Sequence, residues 1–206
     1  GGEDLQAATA LLEHLEKNYG DMLARVRYLN CGGGHHVTKP GYNLGLLADT
    51  LNGVLARYPN LEHVYLEPGE AVGLNTGVLV ASVMDTIENG MQIAILDTSA
   101  TAHMPDVLEM PYRPPLESAG EPNEKAYTCR LAARTCLAGD VIGDYSFDTM
   151  PKIGERLTFG DMAIYSMVKT NTFNGMPLPA IALEHANGDC ELVKTFGYED
   201  FKGRLS

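Results

Sequence analysis

Four segments of this chain carry residue types that can do chemistry. Gly32–Gly34 and Glu67 each follow a short apolar run, and Tyr165 precedes a polar turn. Cys136 and Asp140 lie in a segment rich in Gly, Asp and Tyr. Adjacent glycines let the backbone come close to an anion and turn its N–H groups towards it. A carboxylate can hold a protonated ring nitrogen, and a thiol can deliver a proton to carbon.

The first two segments predict a cofactor site. Helices and strands alternate in this part of the chain, and in such architectures ligands lie at the carboxyl ends of the strands. Gly32–Gly34 and Glu67 would therefore share one edge and hold opposite ends of a phosphorylated aromatic cofactor. Pyridoxal phosphate fits this description. The alternative is that the glycines only form a tight turn and that Glu67 caps the turn before Pro68.

Cys136 is the candidate proton donor, because a thiol near the cofactor and substrate could protonate a carbanion. The alternative is a buried structural cysteine. His103 also follows a predicted strand, and it is either a substrate contact or a loop residue.

A metal site is a rival interpretation, because Cys31, His35 and His36 lie close together in sequence and His63 follows at the next strand. Their spacing matches no recognised zinc pattern, and adjacent histidines on an extended chain point to opposite sides. We therefore expect no metal.

The elements that must position these residues fall into two parts. Amphipathic helices alternate with short strands up to residue 70, which predicts βα units of a parallel sheet or barrel. After residue 70, short β-type runs follow one another with no helices between them, and Asn187-Gly188 predicts a hairpin turn. Residues 105–125 are rich in Pro and Glu and predict a long loop. The predicted domains are therefore 1–70 and 71–206, the second mostly antiparallel β.

Composition limits the class of protein. The chain has 206 residues, a net charge of −12 and an ordinary globular balance of 45% hydrophobic and 20% charged residues. The acidic charge argues against nucleic acid and anionic membrane surfaces and suits a cationic substrate. No apolar run approaches the length of a membrane span. Four cysteines without CxxC spacing predict a reducing, cytoplasmic location.

Taken together, the motifs resemble the pyridoxal-phosphate-dependent decarboxylases of the alanine-racemase-like fold, which act on ornithine, diaminopimelate or arginine. The resemblance is strongest to the carboxynorspermidine (carboxyspermidine) decarboxylases of polyamine synthesis, and it extends over nearly the whole chain. It is carried by four stretches in the family order: Asn30-Cys31-Gly32-Gly33-Gly34-His35-His36, Leu66-Glu67-Pro68-Gly69-Glu70-Ala71, Cys136-Leu137-Ala138-Gly139-Asp140 and Tyr165 with Phe173-Asn174-Gly175.

The resemblance implies a fold and a set of roles. The chain would be the C-terminal part of a (β/α)8 barrel followed by a mostly antiparallel β-barrel domain. Gly32, Gly33 and Gly34 would hold the phosphate, Glu67 the pyridine nitrogen, and Tyr165 would lie near the cofactor. Cys136 would reprotonate the substrate carbon across a homodimer interface, in the site of the neighbouring subunit.

Two departures from the ornithine-type pattern affect the substrate. Glu70 stands where an Arg usually follows Glu-Pro-Gly, and Leu137 stands where an acidic residue usually follows the Cys. The distal amines of a carboxylated polyamine would then need other carboxylates. The candidates are Glu109, Asp140 and Asp144, followed by His103 and Asp106.

The family's cofactor-binding Lys lies far upstream of the glycine turn, and no Lys of this chain has a matching context. We therefore expect a C-terminal fragment that is inactive alone. The predicted function is decarboxylation of carboxynorspermidine or carboxyspermidine. The alternatives are a related diaminopimelate or ornithine decarboxylase, or a non-catalytic metal- or ligand-binding β module.

Overall fold

The structure, a computed structural model, describes residues 2–205, and residues 2–8 by their backbone alone. The chain divides into two compact units, one ending at Leu74 and the other beginning at Asn75. The boundary predicted from the change in sequence pattern lies between residues 70 and 71.

The first unit alternates helices and strands. Its elements are α1 Gly2–Leu23, β1 Tyr28–Asn30, α2 Leu44–Arg57, β2 His63–Tyr65 and the short α3 Gly69–Gly73. Strands β1 and β2 pair in parallel, with Leu29 opposite Val64. This is the predicted pairing, and it brings the carboxyl ends of both strands to one edge.

Local signals in the sequence explain the bounds of α2. The Asn43 side chain accepts a 3.0 Å hydrogen bond from the backbone N–H of Leu46, which caps the helix start. The helix ends at Arg57, ahead of Pro59, because a proline disfavours helical geometry in the residue before it. Val54 is fully buried and packs with Leu12 and Leu61 in the core of this unit.

The second unit is built on a five-stranded sheet. Its strands are β3 Leu79–Glu88, β4 Gln92–Leu96, β5 Tyr127–Ala132, β6 Val141–Phe147 and β7 Arg156–Phe159, in the spatial order β6-β5-β4-β3-β7. Neighbouring strands run antiparallel except β4 and β5, which are parallel. The core includes the fully buried side chains of Leu96, Cys129, Leu131 and Phe159.

The connection from β4 to β5 carries part of the candidate site. Parallel neighbours cannot be joined by a tight turn, so this connection is long. It contains two short helices, α4 Ala100–His103 and α5 Asp106–Glu109. These helices correct the prediction that no helices lie between the β runs, and α5 corrects the start of the long loop predicted at 105–125. Pro105 has a helical φ of −62° and leads the chain into α5.

The remaining elements lie after β7. They are α6 Tyr165–Val168, a 3-10 turn at Phe173–Gly175, β8 Ile181–Glu184, β9 Cys190–Lys194 and α7 Tyr198–Leu205. Strands β8 and β9 form the predicted hairpin, and Gly188 in its turn has a φ of +86°, which glycine adopts without strain. Within residues 2–205, no helix has the length and apolar character needed to cross a membrane.

Candidate active site

The glycine turn and Glu67 meet at the carboxyl ends of β1 and β2. The backbone N–H of Glu67 donates a 2.8 Å hydrogen bond to the carbonyl of Gly32. Asn30, the last residue of β1, connects the two segments: its Oδ1 accepts from the Gly32 N–H at 2.8 Å, and its Nδ2 donates to Oε1 of Glu67 at 2.7 Å. Asn30 was not among the predicted site residues, because its role depends on pairing across the two strands.

The shape of the turn fits an anion. Gly32 and Gly34 have φ values of +72° and +82°, and a Cβ atom at either position would meet nothing within 4 Å. Their backbone therefore faces open space. At Gly33 a Cβ would lie 2.9 Å from the carbonyl oxygen of Glu67. Glycine is required at each position for a physical reason, and the turn could cradle the phosphate of pyridoxal phosphate.

The Glu67 side chain does not close the turn before Pro68. That turn is closed by the backbone, since the carbonyl of Glu67 accepts a 2.8 Å hydrogen bond from the N–H of Gly69. The carboxylate is instead oriented by Asn30 and lies on an exposed residue. This geometry favours the ligand-binding interpretation over the turn-capping alternative.

Glu70 forms a pair with a histidine of the neighbouring loop. Oε2 of Glu70 lies 3.3 Å from Nε2 of His36. The hydroxyl of Thr38 donates to the carbonyl of Ala71 and ties the same loop to α3. His35 is buried, and its Nε2 has no hydrogen-bond partner within the described residues. Among residues 2–205, as far as the structure describes them, no three His, Cys, Asp or Glu side chains are arranged to hold a metal.

In the second unit, Cys136 is exposed in the loop between β5 and β6. Its backbone N–H donates a 3.0 Å hydrogen bond to Oδ1 of Asn174. Two of the predicted motifs, Cys-x-x-x-Asp and Phe-Asn-Gly, are thereby brought together. The cysteine is not the buried structural residue that the alternative required.

Asp140 is buried and holds the base of the Cys136 loop. Its carboxylate accepts hydrogen bonds from the Ser99 hydroxyl at 2.7 Å, from the Thr101 N–H at 3.1 Å and from the Thr135 hydroxyl. A carboxylate surrounded in this way is occupied by the protein itself. Its burial and these three donors argue against its predicted role as a substrate contact.

His103 is also buried, and both of its ring nitrogens have partners. Nδ1 lies 2.8 Å from the Thr98 hydroxyl, and Nε2 lies 2.9 Å from the carbonyl of Pro177. Desolvation by burial lowers the pKa of His103, so the ring is neutral, donating from Nε2 and accepting at Nδ1. These contacts favour a structural role for His103 over a substrate contact, although the residue ends helix α4 and does not lie in a loop.

Asp106 and Glu109 share one cation, Lys169. Its Nζ donates to Asp106 and lies 3.3 Å from Oε2 of Glu109. The hydrogen bond to Asp106, with a second to Glu109, raises the pKa of the Lys169 ammonium. The same Nζ lies 5.5 Å from the ring centre of Tyr165. Lys169 was not predicted, although its position one helical turn after Tyr165 was a usable signal.

Asp144 lies in the sheet and pairs with Arg130 on the adjacent strand. Nε and Nη2 of Arg130 donate to its two carboxylate oxygens at 2.7 and 2.9 Å. This bidentate contact holds the pKa of Asp144 below its usual value. Like Asp140, this predicted substrate contact already has a structural partner.

The family of the chain follows from comparison with known proteins. The family model described as pyridoxal-dependent decarboxylase, C-terminal sheet domain, matches residues 17–163. The chain belongs to this family, which confirms the resemblance seen in the sequence. Pyridoxal dependence also agrees with the cofactor predicted from the glycines and Glu67.

Two curated relatives are similar to this chain over almost its whole length. The chain is 44% identical to a carboxyaminopropylagmatine decarboxylase of Synechocystis sp., over 98% of this chain and 52% of the relative. It is 41% identical to a carboxynorspermidine/carboxyspermidine decarboxylase of Campylobacter jejuni, over 98% of this chain and 55% of the relative. The chain thus spans about half the length of the curated relatives it matches.

Solved structures show the same relationship. A carboxynorspermidine decarboxylase of Campylobacter jejuni, crystallised with norspermidine, is 41% identical and superimposes with a TM-score of 0.85 over 97% of this chain and 57% of that chain. A diaminopimelate decarboxylase of M. jannaschii is 18% identical with a TM-score of 0.71, over 97% of this chain and 47% of that chain, and it shows the shared fold alone.

Proposed function

We propose that this chain supplies the C-terminal part of a pyridoxal-phosphate-dependent enzyme that removes the α-carboxylate of a carboxylated polyamine. The observation that carries the proposal is the 41–44% identity, over 98% of the chain, to decarboxylases of such substrates. The polyamine chemistry also suits a chain with a net charge of −12.

The proposed architecture has two parts. Residues 1–70 would be the last βα units of an incomplete (β/α)8 barrel, and residues 71–206 a mostly antiparallel β domain. The parallel pairing of β1 and β2, with α2 between them, supports the first assignment. The sheet and the β8–β9 hairpin support the second.

We propose that Gly32, Gly33 and Gly34 bind the phosphate, Glu67 binds the pyridine nitrogen, and Tyr165 lies near the cofactor. Pyridoxal phosphate, when bound, supplies an electron-accepting ring that stabilises negative charge at the substrate α-carbon. Because the N–H of Gly32 already donates to Asn30, the turn would direct the N–H groups of Gly33 and Gly34 at the phosphate, and Gly32 would contribute a backbone without a side chain. Asn30 donates a hydrogen bond to the carboxylate of Glu67 and restrains its orientation.

Cys136 is the proposed proton donor. Loss of carbon dioxide leaves the bonding electron pair at the substrate α-carbon, and that carbon must receive one proton to give the amine. The thiol S–H of Cys136 would provide it, and the resulting thiolate would recover a proton from water. By protonating the α-carbon, Cys136 would favour the amine over the side products, an aldehyde and pyridoxamine phosphate, whose release would consume one water and leave a form of the cofactor that cannot start another turnover.

Among the predicted carboxylates, Glu109 is the strongest candidate for a distal amine of the substrate. Its side chain is 61% exposed, and that of the adjacent Asp106 is 12% exposed. Within residues 9–205, whose side chains the structure describes, the two carboxylates share one cation, Lys169, which leaves one net negative charge for an incoming ammonium group. Asp140 and Asp144, in contrast, are occupied by other parts of the protein.

We further propose a cytoplasmic homodimer in which Cys136 of one subunit completes the site of the other. The four free thiols suit a reducing compartment. Mixing a Cys136→Ala enzyme with a variant that lacks the upstream cofactor-binding Lys tests whether the two subunits share their active sites. Heterodimers should regain one working site, and mixtures as inactive as their parents would contradict it. We expect no role in nucleic-acid or membrane binding.

A second candidate substrate is carboxyaminopropylagmatine, because the Synechocystis relative that acts on it is 44% identical. That molecule ends in a guanidinium group where the other substrates carry an amine. Comparing kcat/KM for the three carboxylated polyamines, ornithine and diaminopimelate identifies the substrate. Preferred turnover of ornithine or diaminopimelate would contradict the polyamine assignment, which Glu70 and Leu137 support.

The experiment that tests the chemistry is Cys136→Ala in the full-length enzyme. Amine formation should slow by roughly 10²–10⁴-fold, the range for a lost general acid, and turnovers should divert to pyridoxamine phosphate. Cofactor binding, measured by absorbance titration, should persist because the glycine turn is unchanged. A normal rate with no pyridoxamine phosphate would show that Cys136 is not the proton donor.

A further inference from the structure

Cys136 is held at one point by a residue distant in sequence. The loop that carries it is closed at its base, where the N–H of Ala133 donates a 3.0 Å hydrogen bond to the carbonyl of Asp140. At the cysteine itself, the backbone N–H donates to Oδ1 of Asn174 at 3.0 Å. This contact holds the backbone at the residue that carries the thiol.

The segment that carries Asn174 is tied to α4 by hydrogen bonds. It has φ 59° and ψ 22° within the 3-10 turn. The neighbouring N–H of Phe173 donates to Oδ1 of Asn171 at 2.9 Å. Asn171 is anchored to α4 by two hydrogen bonds of 2.9 Å, from its N–H to the carbonyl of Ala102 and from its Nδ2 to the carbonyl of Thr101.

Together with the contacts of Asp140, these hydrogen bonds connect the Cys136 loop to α4 at two places. The N–H of Thr101 donates to Asp140, whose carboxylate also holds Thr135 beside the cysteine. Cys136 is therefore connected to α4 along two routes, one through Asp140 within its own loop and one through Asn174. A loop fixed on both sides has little freedom to move its thiol.

We propose that Asn174 is a positioning residue that sets the location of the Cys136 thiol for proton delivery. The proposal rests on the proposed function, in which Cys136 is the proton donor. Delivery of a proton requires the donor within hydrogen-bond distance of the accepting carbon, and a misplacement of about 1 Å can cost about a hundredfold in rate.

The residue type at position 174 satisfies two demands at once. A φ of 59° is accessible to Gly, Asn and Asp with little strain, whereas most other residues are disfavoured there. Of these three, Asn and Asp carry an oxygen in the δ position that can accept from the Cys136 N–H. Substitutions at position 174 can therefore test the need for a positive φ separately from the need for a hydrogen-bond acceptor.

The test uses the full-length enzyme with Asn174→Gly and Asn174→Asp. The Gly variant keeps the backbone conformation and loses the acceptor, and the Asp variant keeps both. We expect Asn174→Gly to lower kcat about ten- to a hundredfold. It should also raise the fraction of turnovers that end in pyridoxamine phosphate, with KM unchanged. Asn174→Asp should restore the wild-type fraction.

A matched control is Asn75→Gly, because Asn75 has the same φ of 59° at a position away from the cysteine loop. It should leave the product fraction unchanged. Hydrogen exchange at the Cys136 amide gives a second readout that does not depend on catalysis. Exchange should quicken in Asn174→Gly and stay slow in Asn174→Asp.

Cys136→Ala separates the two proposals. If Cys136→Ala diverts turnovers and Asn174→Gly does not, the positioning role of Asn174 is wrong and the proton-donor role of Cys136 stands. If Cys136→Ala diverts no turnovers, the proton-donor role fails, and the positioning role fails with it. In a Cys136→Ala background, Asn174→Gly should change the product fraction no further, and an added change would also contradict the proposal.

Discussion

The hydroxyl of Ser99 donates a 2.7 Å hydrogen bond to Oδ2 of Asp140, and both residues are buried. Ser99 also caps α4, since its Oγ accepts a 3.0 Å hydrogen bond from the N–H of Ala102. One serine thus connects the start of a helix to the base of the loop that carries Cys136. The carboxylate at the centre of this contact holds the fold, and its loss should affect stability before it affects substrate binding.

Asp140→Asn should therefore destabilise the protein. An amide keeps one acceptor and presents an NH2 group to donors that need a second one, so charge-assisted bonds worth about 1.5–3 kcal/mol are lost. The measurement is the free energy of unfolding in urea. Asp148→Asn is the control, because Asp148 pairs with Lys125 in a contact whose carboxylate side chain is 80% exposed. It should change stability by less than about 1 kcal/mol.

Glu109→Gln should weaken substrate binding with little effect on stability, the reverse of what we expect for Asp140→Asn. If Glu109 binds a distal ammonium group, neutralising it should raise KM for the carboxylated polyamine roughly ten- to a hundredfold, which corresponds to about 1.5–3 kcal/mol. Stability should change little, because the side chain is 61% exposed. Glu117→Gln, at another exposed carboxylate of the same unit, is the control. A Glu109→Gln enzyme with unchanged KM would remove this residue from the substrate site.

Gly33→Ala should weaken cofactor binding, since the added methyl would lie 2.9 Å from the carbonyl oxygen of Glu67. The carbonyl oxygen of Glu67 cannot move away without displacing the glycine turn or the carboxylate of Glu67 itself. Gly69→Ala is a matched control two residues past Glu67, where a methyl would meet nothing within 4 Å. Titration with pyridoxal phosphate should show weaker binding for Gly33→Ala alone, and equal affinity in both variants would contradict the cradle.

The sequence predicted most of the elements that have a clear period or a turn signal. The bounds of α2, the parallel strands β1 and β2, and the β8–β9 hairpin follow from apolar spacing, Asn43 and Asn187-Gly188. Strands β5 and β6 were missed. In β5, Arg130 lies between the buried Cys129 and Leu131, and its partner Asp144 lies opposite it on β6. The sequence does not reveal this pairing of strands.

The candidate site was predicted in part for the same reason. Motif residues such as Gly33, Glu67 and Cys136 stand out by type. Asn174 and Lys169 matter through partners far away in the chain, at Cys136 and at Asp106, and local patterns carry no such information. Asp140 and Glu109 look equivalent in sequence. In the structure Asp140 is buried among hydrogen-bond donors and Glu109 is exposed, and the sequence does not show this difference.

The last prediction concerns pH and His103. Burial lowers the pKa of this histidine in the folded protein, whereas in the unfolded chain it titrates near 6.5. As the pH falls below about 6.5, the unfolded chain therefore binds a proton that the folded chain does not. The free energy of unfolding should fall with decreasing pH from about 6.5 down to the lowered pKa, by at most about 1.4 kcal/mol per pH unit from this residue. Above pH 6.5 it contributes no slope.

His103→Gln tests this dependence, because glutamine keeps a donor for the carbonyl of Pro177 and does not titrate. At pH 7.5 the variant should be less stable than the wild type, since its fit to Thr98 and Pro177 is poorer. The difference between the two should shrink as the pH is lowered through 6.5 towards 5, because only the wild type loses stability through His103. His185→Gln, at an exposed histidine beside the hairpin turn, is the control and should keep the wild-type contribution of His103. A stability difference between wild type and His103→Gln that stays constant from pH 7.5 to 5 would show that His103 takes up its proton equally in both states.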